Sequence, residues 1–136
     1  MTRTLLLAAL ACAALIAAGC SATYVRQSGM QNAPVRPPER MLLAGLKQYE
    51  DGDLKAAQAS LHRALAEGLA FEADRVTAHK YLAFIECASG RERECRDQFA
   101  AALALDPRLE LSRAEAGHPV WGPAFRSTKA TIVPSK

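Results

Sequence analysis

The chain has 136 residues, 50% of them hydrophobic, and a formal net charge of +3 at pH 7. That length fits a single domain, and the nearly balanced, interspersed charges exclude the basic patch of a nucleic-acid-binding protein. Apolar residues are too plentiful outside the N-terminal segment for a disordered chain. The many alanines, together with few valines and isoleucines, favour helices over strands.

The first 19 residues have the pattern of a secretory signal peptide. Residues 1–4 carry one positive charge, at Arg3, and residues 5–18 form an uninterrupted apolar run that ends in small residues. A basic start, an apolar core and a small-residue end are typical of a cleaved signal. A membrane-spanning helix needs about 20 apolar residues, so a permanent spanning anchor is the less favoured alternative.

The end of that run, Ala17-Ala18-Gly19-Cys20, resembles the lipobox of bacterial lipoproteins. The resemblance implies cleavage before Cys20 and attachment of a diacylglycerol to its sulfur, and two or three acyl chains give stable anchoring where one would be marginal. Ser21 at the next position implies sorting to the outer membrane, with the rest of the chain facing the periplasm. The alternative is an ordinary signal peptide that contains a cysteine.

Residues 20–38 are predicted to be the lipidated N-terminus and a disordered tether. Residues 21–38 show no apolar periodicity and contain prolines at positions 34, 37 and 38. Proline removes a backbone donor and disfavours helix in the residue before it. Eighteen residues of flexible coil span about 25 Å, so the domain is expected to stand off the membrane surface.

An internal repeat begins at residue 39. Two stretches align at an offset of 38 residues, which brings Gly52-Asp53-Leu54 onto Gly90-Arg91-Glu92. Small and apolar residues recur at spacings of three and four in each unit, as in a helix, and each glycine marks a turn. The predicted helices cover about 39–51, 54–67, 72–89 and 92–105, with Pro107 after the last. The fold class is therefore all-α, with two helical hairpins within 39–109.

The repeat resembles the tetratricopeptide repeat (TPR), a 34-residue helical hairpin with small residues where its helices touch. The matching residues are Gly45, Tyr49, Gly52, Ala57, Leu61 and Ala64 in the first unit, and Leu82, Ala83, Gly90, Phe99, Ala102 and Pro107 in the second. The longer spacing here implies about one extra helical turn within 71–78. The alternative is a generic alanine-rich helical bundle.

The TPR resemblance implies a partner-binding groove along the first helix of each hairpin. The residues at these positions are Leu42, Leu46, Tyr49, Glu50, Lys80 and Phe84. An apolar groove with a charged rim would bind a peptide or helix through side-chain anchors. The competing interpretation is that Leu46 and Phe84 pack against the C-terminal segment.

The four cysteines are expected to have different fates. Cys12 leaves with the signal peptide and Cys20 is acylated, which leaves Cys87 and Cys95. In an oxidising compartment such a pair is expected to form a disulfide, and their repeat positions face each other across the second hairpin. The alternatives are two buried free thiols or, with less support because four ligands are lacking, a zinc site.

Residues 110–136 are predicted to be a C-terminal cap and tail. A short helix starting at Pro119 or Pro123 would place Trp121 and Phe125 on one face, over the apolar end of the second repeat. His118 is interpreted as a loop residue of this cap, since no motif places a nucleophile or carboxylate beside it. No phosphate loop, dinucleotide fingerprint or hydrolase signature occurs, so we expect no enzyme activity, metal or cofactor.

A narrower resemblance rests on the run 78–85, on Asp106-Pro107 and on the phrase Gly117-His118-Pro119-Val120-Trp121-Gly122-Pro123. These residues, with the cysteine pair, resemble a family of small bacterial TPR lipoproteins associated with type VI secretion. The resemblance implies an adaptor that binds protein or peptide partners of a secretion or envelope machine, with no nucleic-acid or small-molecule ligand. The alternatives are a pilotin-like assembly lipoprotein and, with less support, an activator of a cell-wall enzyme.

Overall fold

The computed structural model describes residues 34–133, and the secondary structure within that range is helical throughout, which confirms the all-α prediction. In chain order the helices are α1 (Pro37–Glu50), α2 (Leu54–Glu67), α3 (Glu72–Ala88), α4 (Glu92–Leu105), α5 (Arg113–Ala116) and α6 (Trp121–Ile132). The predicted signal peptide, Cys20 and most of the predicted tether lie outside the described residues.

The first helix begins two residues earlier than the sequence predicted. Pro37 and Pro38, which were assigned to the tether, are the first residues of α1, and Pro38 is buried. Proline is tolerated in the first turn of a helix because the backbone N–H groups there have no intrahelical partner. The correction moves the start of the folded domain to about Arg36.

Helices α1 and α2 form the first predicted hairpin. Its turn contains Gly52, whose φ of +82° is in the left-handed region, and the side chain of Asp53 caps α2 by accepting the N–H of Ala56 at 3.0 Å. The two helices approach closely at Gly45, where an added Cβ would lie 2.8 Å from Cγ of Leu61. The glycine is therefore part of the packing between the helices.

Helices α3 and α4 form the second predicted hairpin. Helix α3 has 17 residues, whereas α1, α2 and α4 have 14 each. The extra length agrees with the added helical turn that the 38-residue offset implied. Gly90 lies in the turn with a φ of +73°.

A polar network joins the two hairpins. The side chain of Glu86 on α3 is almost fully buried, and it accepts a hydrogen bond of 2.6 Å from Nε2 of Gln58 on α2. Nε of Arg91, in the turn before α4, forms an ion pair with the other carboxylate oxygen of Glu86. A buried charge is costly unless it is paired, so this network favours one arrangement of the hairpins.

The C-terminal segment packs on the second hairpin as the predicted cap. Ser112 and Glu115 form a capping box at the start of α5, and α6 begins at Trp121, between the two prolines considered as its start. Phe125 on α6 meets Phe99 on α4 with ring centroids 5.2 Å apart. The cap therefore completes the core of the second hairpin.

Two hydrophobic clusters share partly buried tyrosines. The first cluster lies between α1, α2 and α3, and the second lies between α3, α4 and the C-terminal segment. Tyr49 and Tyr81 pack against both clusters, so the core is continuous through them. Among residues 34–133, no helix is both long and apolar enough to cross a membrane.

Candidate protein-binding face

Partly buried aromatic side chains line one side of the domain. Tyr49 comes from α1, Tyr81 from α3, and His118 and Trp121 from the C-terminal segment, and the buried ring of Phe84 on α3 lies beneath them. We call these five residues the aromatic face. The ring centroids of Tyr49 and Tyr81 are 5.0 Å apart, and those of Tyr81 and Phe84 are 5.6 Å apart. Such edge-to-face contacts give rings a fixed orientation.

The C-terminal half of the aromatic face is built by stacking. The indole of Trp121 stacks on Phe84 at 4.8 Å, and the imidazole of His118 stacks on Trp121 at 3.2 Å. Nδ1 of His118 also accepts the backbone N–H of Val120 at 3.2 Å. His118 is thus held in place by the cap, in agreement with its interpretation as a cap residue.

An ion pair lies beside the aromatic rings. Nζ of Lys80 donates to Oε1 of Glu115 at 2.8 Å, and both side chains are about four-fifths buried. The same ammonium group lies 5.1 Å from the ring centroid of Tyr81 and 5.6 Å from that of Phe84, within cation–π range. The second oxygen of Glu115 accepts the N–H of Ser112 in the capping box. Glu115 therefore connects α5 with α3.

The surroundings shift the pKa of two groups on this side. Burial raises the pKa of Tyr49, and the neighbouring Tyr81 and Glu115 raise it further. Burial also acts to raise the pKa of Glu115, but hydrogen bonds from Lys80 and Ser112 together outweigh it and leave this pKa below its ordinary value. Glu115 is accordingly a carboxylate at neutral pH.

The six residues predicted for the groove lie in different environments. Leu42 and Phe84 are only 5% and 1% exposed, so they are core residues, and their assignment as groove anchors is corrected. Leu46, Tyr49 and Lys80 are partly buried, whereas Glu50 is exposed. The accessible part of the predicted groove therefore consists of Leu46, Tyr49, Glu50 and Lys80.

Leu42 and Phe84 are buried by different parts of the molecule. Phe84 is covered by Trp121 of the C-terminal segment, as the competing interpretation held. Leu42 belongs to the first cluster, and Leu46 packs against that same cluster, so for Leu46 the neighbour is the first hairpin. The C-terminal segment thus covers only one end of the groove.

Two contributors to this side of the molecule, Tyr81 and Glu115, were not among the residues predicted for the groove, and Trp121 was predicted only as part of the C-terminal cap. Tyr81 could have been found, because it precedes Phe84 by three residues and so shares its helical face. The contacts of Glu115 and Trp121 with α3 join residues more than 30 positions apart, and periodicity within one helix does not reveal such contacts.

The sulfur atoms of Cys87 and Cys95 lie at disulfide-bonding distance, with Cα atoms 5.1 Å apart. The bond links α3 to α4 near their turn, where the sequence placed it. Cys95 is fully buried, and Cys87 is 6% exposed beside a cleft of about 460 Å³ between the second hairpin and α6. This burial is typical of a structural bridge.

The remaining histidines take part in ordinary contacts or lie at the surface. Nδ1 of His79 and Oε1 of Gln98 are 2.8 Å apart, which joins α3 to α4, and His62 is exposed. Within residues 34–133, no group of three or more His, Cys, Asp or Glu side chains is arranged to hold a metal ion.

Comparison of the chain with protein-family models, with curated proteins and with solved structures finds no match. The likeness to TPR lipoproteins accordingly rests on the residues quoted above.

Proposed function

We propose that the protein is a lipid-anchored adaptor at the periplasmic face of the outer membrane. It binds a protein partner through the aromatic face and the neighbouring Glu50, and it is accessory to type VI secretion. The observation that carries the proposal is the partly exposed side built jointly by α1 and α3, where Tyr49, Tyr81 and Lys80 are partly buried and Glu50 is exposed.

The chemistry of this side favours recognition of a peptide or helix. Half-buried tyrosines offer a large contact area and lose little side-chain entropy on binding, and they are frequent at the centres of protein interfaces. The contacts among Tyr49, Tyr81 and Phe84 already fix the rings, so a partner would meet a prearranged surface. An apolar side chain over the rings and a basic group near Glu50 would fit it.

The sequence supports the location. The pattern around Cys20 resembles a lipobox, and the residues after it are suited to a tether. Acylation of Cys20 would hold the binding face near the membrane, where components of an envelope machine assemble.

Site-specific photocrosslinking in cells tests the binding face directly. A photoreactive residue in place of Glu50, at the rim of the face, is expected to capture a discrete partner from the envelope. The matched control replaces Arg93 on α4, whose side chain is 88% exposed and which lies on the second helix of its hairpin. Equal capture from both positions, or capture from neither, would overturn the proposed face.

A substitution pair tests the contribution of the rings and the ammonium group. Tyr49→Ala with Lys80→Glu is expected to reduce partner capture at least tenfold, since interface anchors of this type contribute about 2 kcal/mol or more. Circular dichroism of the variant must show retained helix content for the loss to be assigned to binding. Unchanged capture by a folded variant would contradict the proposal.

Metabolic labelling with a fatty acid tests the anchor. Wild-type protein is expected to incorporate label and to fractionate with the outer membrane, whereas Cys20→Ser is expected to do neither. If the crosslinked partner is itself an outer-membrane subunit that is mislocalised in the Cys20→Ser strain, the pilotin-like alternative replaces the adaptor.

A further inference from the structure

We propose that the loop between α2 and α3, residues 68–71, touches the lipid bilayer through Phe71; this contact rests on the proposed lipid anchor. We call these residues the Phe71 loop. Phe71 is 67% exposed, more than the other large hydrophobic residues exposed within 34–133. Its neighbour Leu69 is buried, so the loop directs one apolar side chain into the core and one outward.

Phe71 stands at a helix end where a polar residue would stabilise the fold more than phenylalanine does. Phe71 is the N-cap residue of α3 and makes no side-chain capping bond. Ser, Thr, Asp or Asn at an N-cap stabilises a helix by about 1 kcal/mol relative to a residue without a capping group. Phe71 thus contributes to neither the cap nor the core, and an exposed apolar ring is suited to insertion at the boundary between lipid headgroups and acyl chains.

The Phe71 loop is fixed beside the point where the N-terminal segment joins the domain. Nη2 of Arg36 donates to the carbonyl oxygen of Gly68 at 3.2 Å, and Oε1 of Glu39 accepts the N–H of Ala70 at 3.1 Å. These two bonds tie the start of α1 to the loop. The end of the domain that is nearest to the anchor along the chain therefore carries Phe71.

The number of residues between Cys20 and the domain limits how far this end can lie from the proposed anchor. Sixteen residue steps separate Cys20 from Arg36, and a chain of that length reaches at most about 55 Å even when fully extended. Tethering at such a distance gives a local concentration in the millimolar range, so a contact that is too weak to hold a free protein would be populated here. The Phe71 loop would then hold the domain against the membrane surface. With the tether alone, the domain would stand off that surface.

The charges around the loop do not select an anionic surface. The exposed groups near it include both signs, with Arg36 53% and Arg75 41% exposed beside Glu72 at 61%. Electrostatic attraction between this end of the domain and acidic lipid headgroups would therefore be small, and the membrane contact depends on the apolar ring of Phe71. We expect it to be insensitive to salt, unlike a polybasic contact.

Quenching by brominated lipids tests the contact on the mature chain beginning at Cys20. Because Cys87 and Cys95 are joined, Cys20 provides the free thiol for coupling to a maleimide lipid in phosphatidylethanolamine–phosphatidylglycerol vesicles. This coupling replaces the acyl anchor, so the test of the membrane contact does not depend on acylation of Cys20 in cells. The added tryptophan of a Phe71→Trp variant is expected to be quenched by acyl-brominated lipid, because the tether raises the local concentration of the loop at the membrane. The matched control is Ile132→Trp, at an exposed position at the end of α6, which is expected to remain unquenched after subtraction of the Trp121 signal.

A second variant separates the contact from folding. Phe71→Ser supplies an N-cap side chain, so its melting temperature is expected to be equal to or above that of the wild type, while the vesicle-dependent protection of the Phe71 loop from hydrogen exchange is lost. Quenching that is equal at both tryptophan positions, no quenching at position 71, or protection that persists in Phe71→Ser would each overturn the proposal. Capture of a protein by a photocrosslinker at position 71, without quenching, would also overturn it in favour of a protein contact. Failure of fatty-acid labelling in cells would instead count against the proposed anchor.

Discussion

Single side chains determine how closely the helices approach. Gly45 leaves no space for a methyl group, because an added Cβ would lie 2.8 Å from Cγ and 3.3 Å from the backbone nitrogen of Leu61. Gly117 offers the contrast, since the nearest atom to its added Cβ is 3.4 Å away and its φ of −79° suits any residue. The two glycines therefore differ in what they contribute to stability.

Gly45→Ala is expected to lower the free energy of unfolding by about 1–3 kcal/mol, because overpacking separates α1 from α2 and outweighs the gain in helix propensity. Urea unfolding followed by circular dichroism measures the change. Gly117→Ala serves as the control and is expected to alter stability by less than about 0.5 kcal/mol. Similar values for the two variants would contradict the close crossing.

Glu115 gives the molecule a pH-dependent contact. Its pKa in the folded state lies below the ordinary glutamate value because Lys80 and Ser112 bind the charged form. A depressed pKa contributes stability above the pKa of the unfolded chain, and this contribution disappears as the pH falls through the folded value.

Glu115→Gln is therefore expected to destabilise the domain at pH 7 by about 1.5–3 kcal/mol, the range for a hydrogen bond to a charged group. The difference from the wild type should shrink at pH values below the ordinary glutamate pKa. Denaturant unfolding at neutral and acidic pH provides the test, with the exposed Glu94 as the control position for an equivalent Gln substitution. A difference that does not depend on pH would refute the assignment.

At the scale of elements, α3 organises the fold. It packs against α1 and α2 on one side and against α4 and α6 on the other. Its buried residues are Val76, Ala78, Leu82, Ala83, Phe84, Ile85, Glu86 and Cys87. The disulfide fixes the C-terminal end of this helix to α4, so the bond acts on the element with the most neighbours.

Replacing both Cys87 and Cys95 with serine is expected to lower the free energy of unfolding by about 2.5 kcal/mol, from the entropy of closing a short loop in the unfolded chain. For a domain of this size the melting temperature should fall by roughly 10–20 °C. Scanning calorimetry with and without a reducing agent measures the effect, and the double variant should not respond to the reductant. Titration of two free thiols in the native envelope protein would exclude the bond.

The helices and the disulfide could be predicted from the sequence because their signals are local. Glycine turns, three- and four-residue spacings and an eight-residue cysteine separation all act within one hairpin. The groove was predicted less well, since Phe84 is buried by Trp121 and this pairing depends on how the chain returns after α4. The predicted start of α1 is two residues too late because Pro37 and Pro38 suit a tether and a first helical turn equally well.

At the scale of the whole molecule, the two hydrophobic clusters are joined. Tyr49 and Tyr81 pack against both of them, and the buried Glu86 binds Gln58 of the first hairpin. Repeat folds usually need three units to form a stable core, and this domain has two hairpins. Neither hairpin is therefore expected to persist alone.

The domain should unfold in a single cooperative transition. Trp121 reports on the second cluster, and far-ultraviolet circular dichroism reports on all helices, so the two denaturation curves should coincide within error. A matched test with Gln58→Ala, which removes one partner of Glu86, should shift both curves together. Loss of the Trp121 signal before the helical signal would show that the cap and second hairpin unfold separately.

The stacking of Trp121 on Phe84 also has a consequence for how the chain is made. In a chain that emerges N-terminus first, all residues of the first hairpin are present once Glu67 appears, and all residues of the second are present at Leu105. Phe84 and Phe99, however, stay uncovered until Trp121 and Phe125 arrive. The last elements thus complete the molecule, and a product truncated before them would expose an aromatic surface that chaperones and proteases recognise.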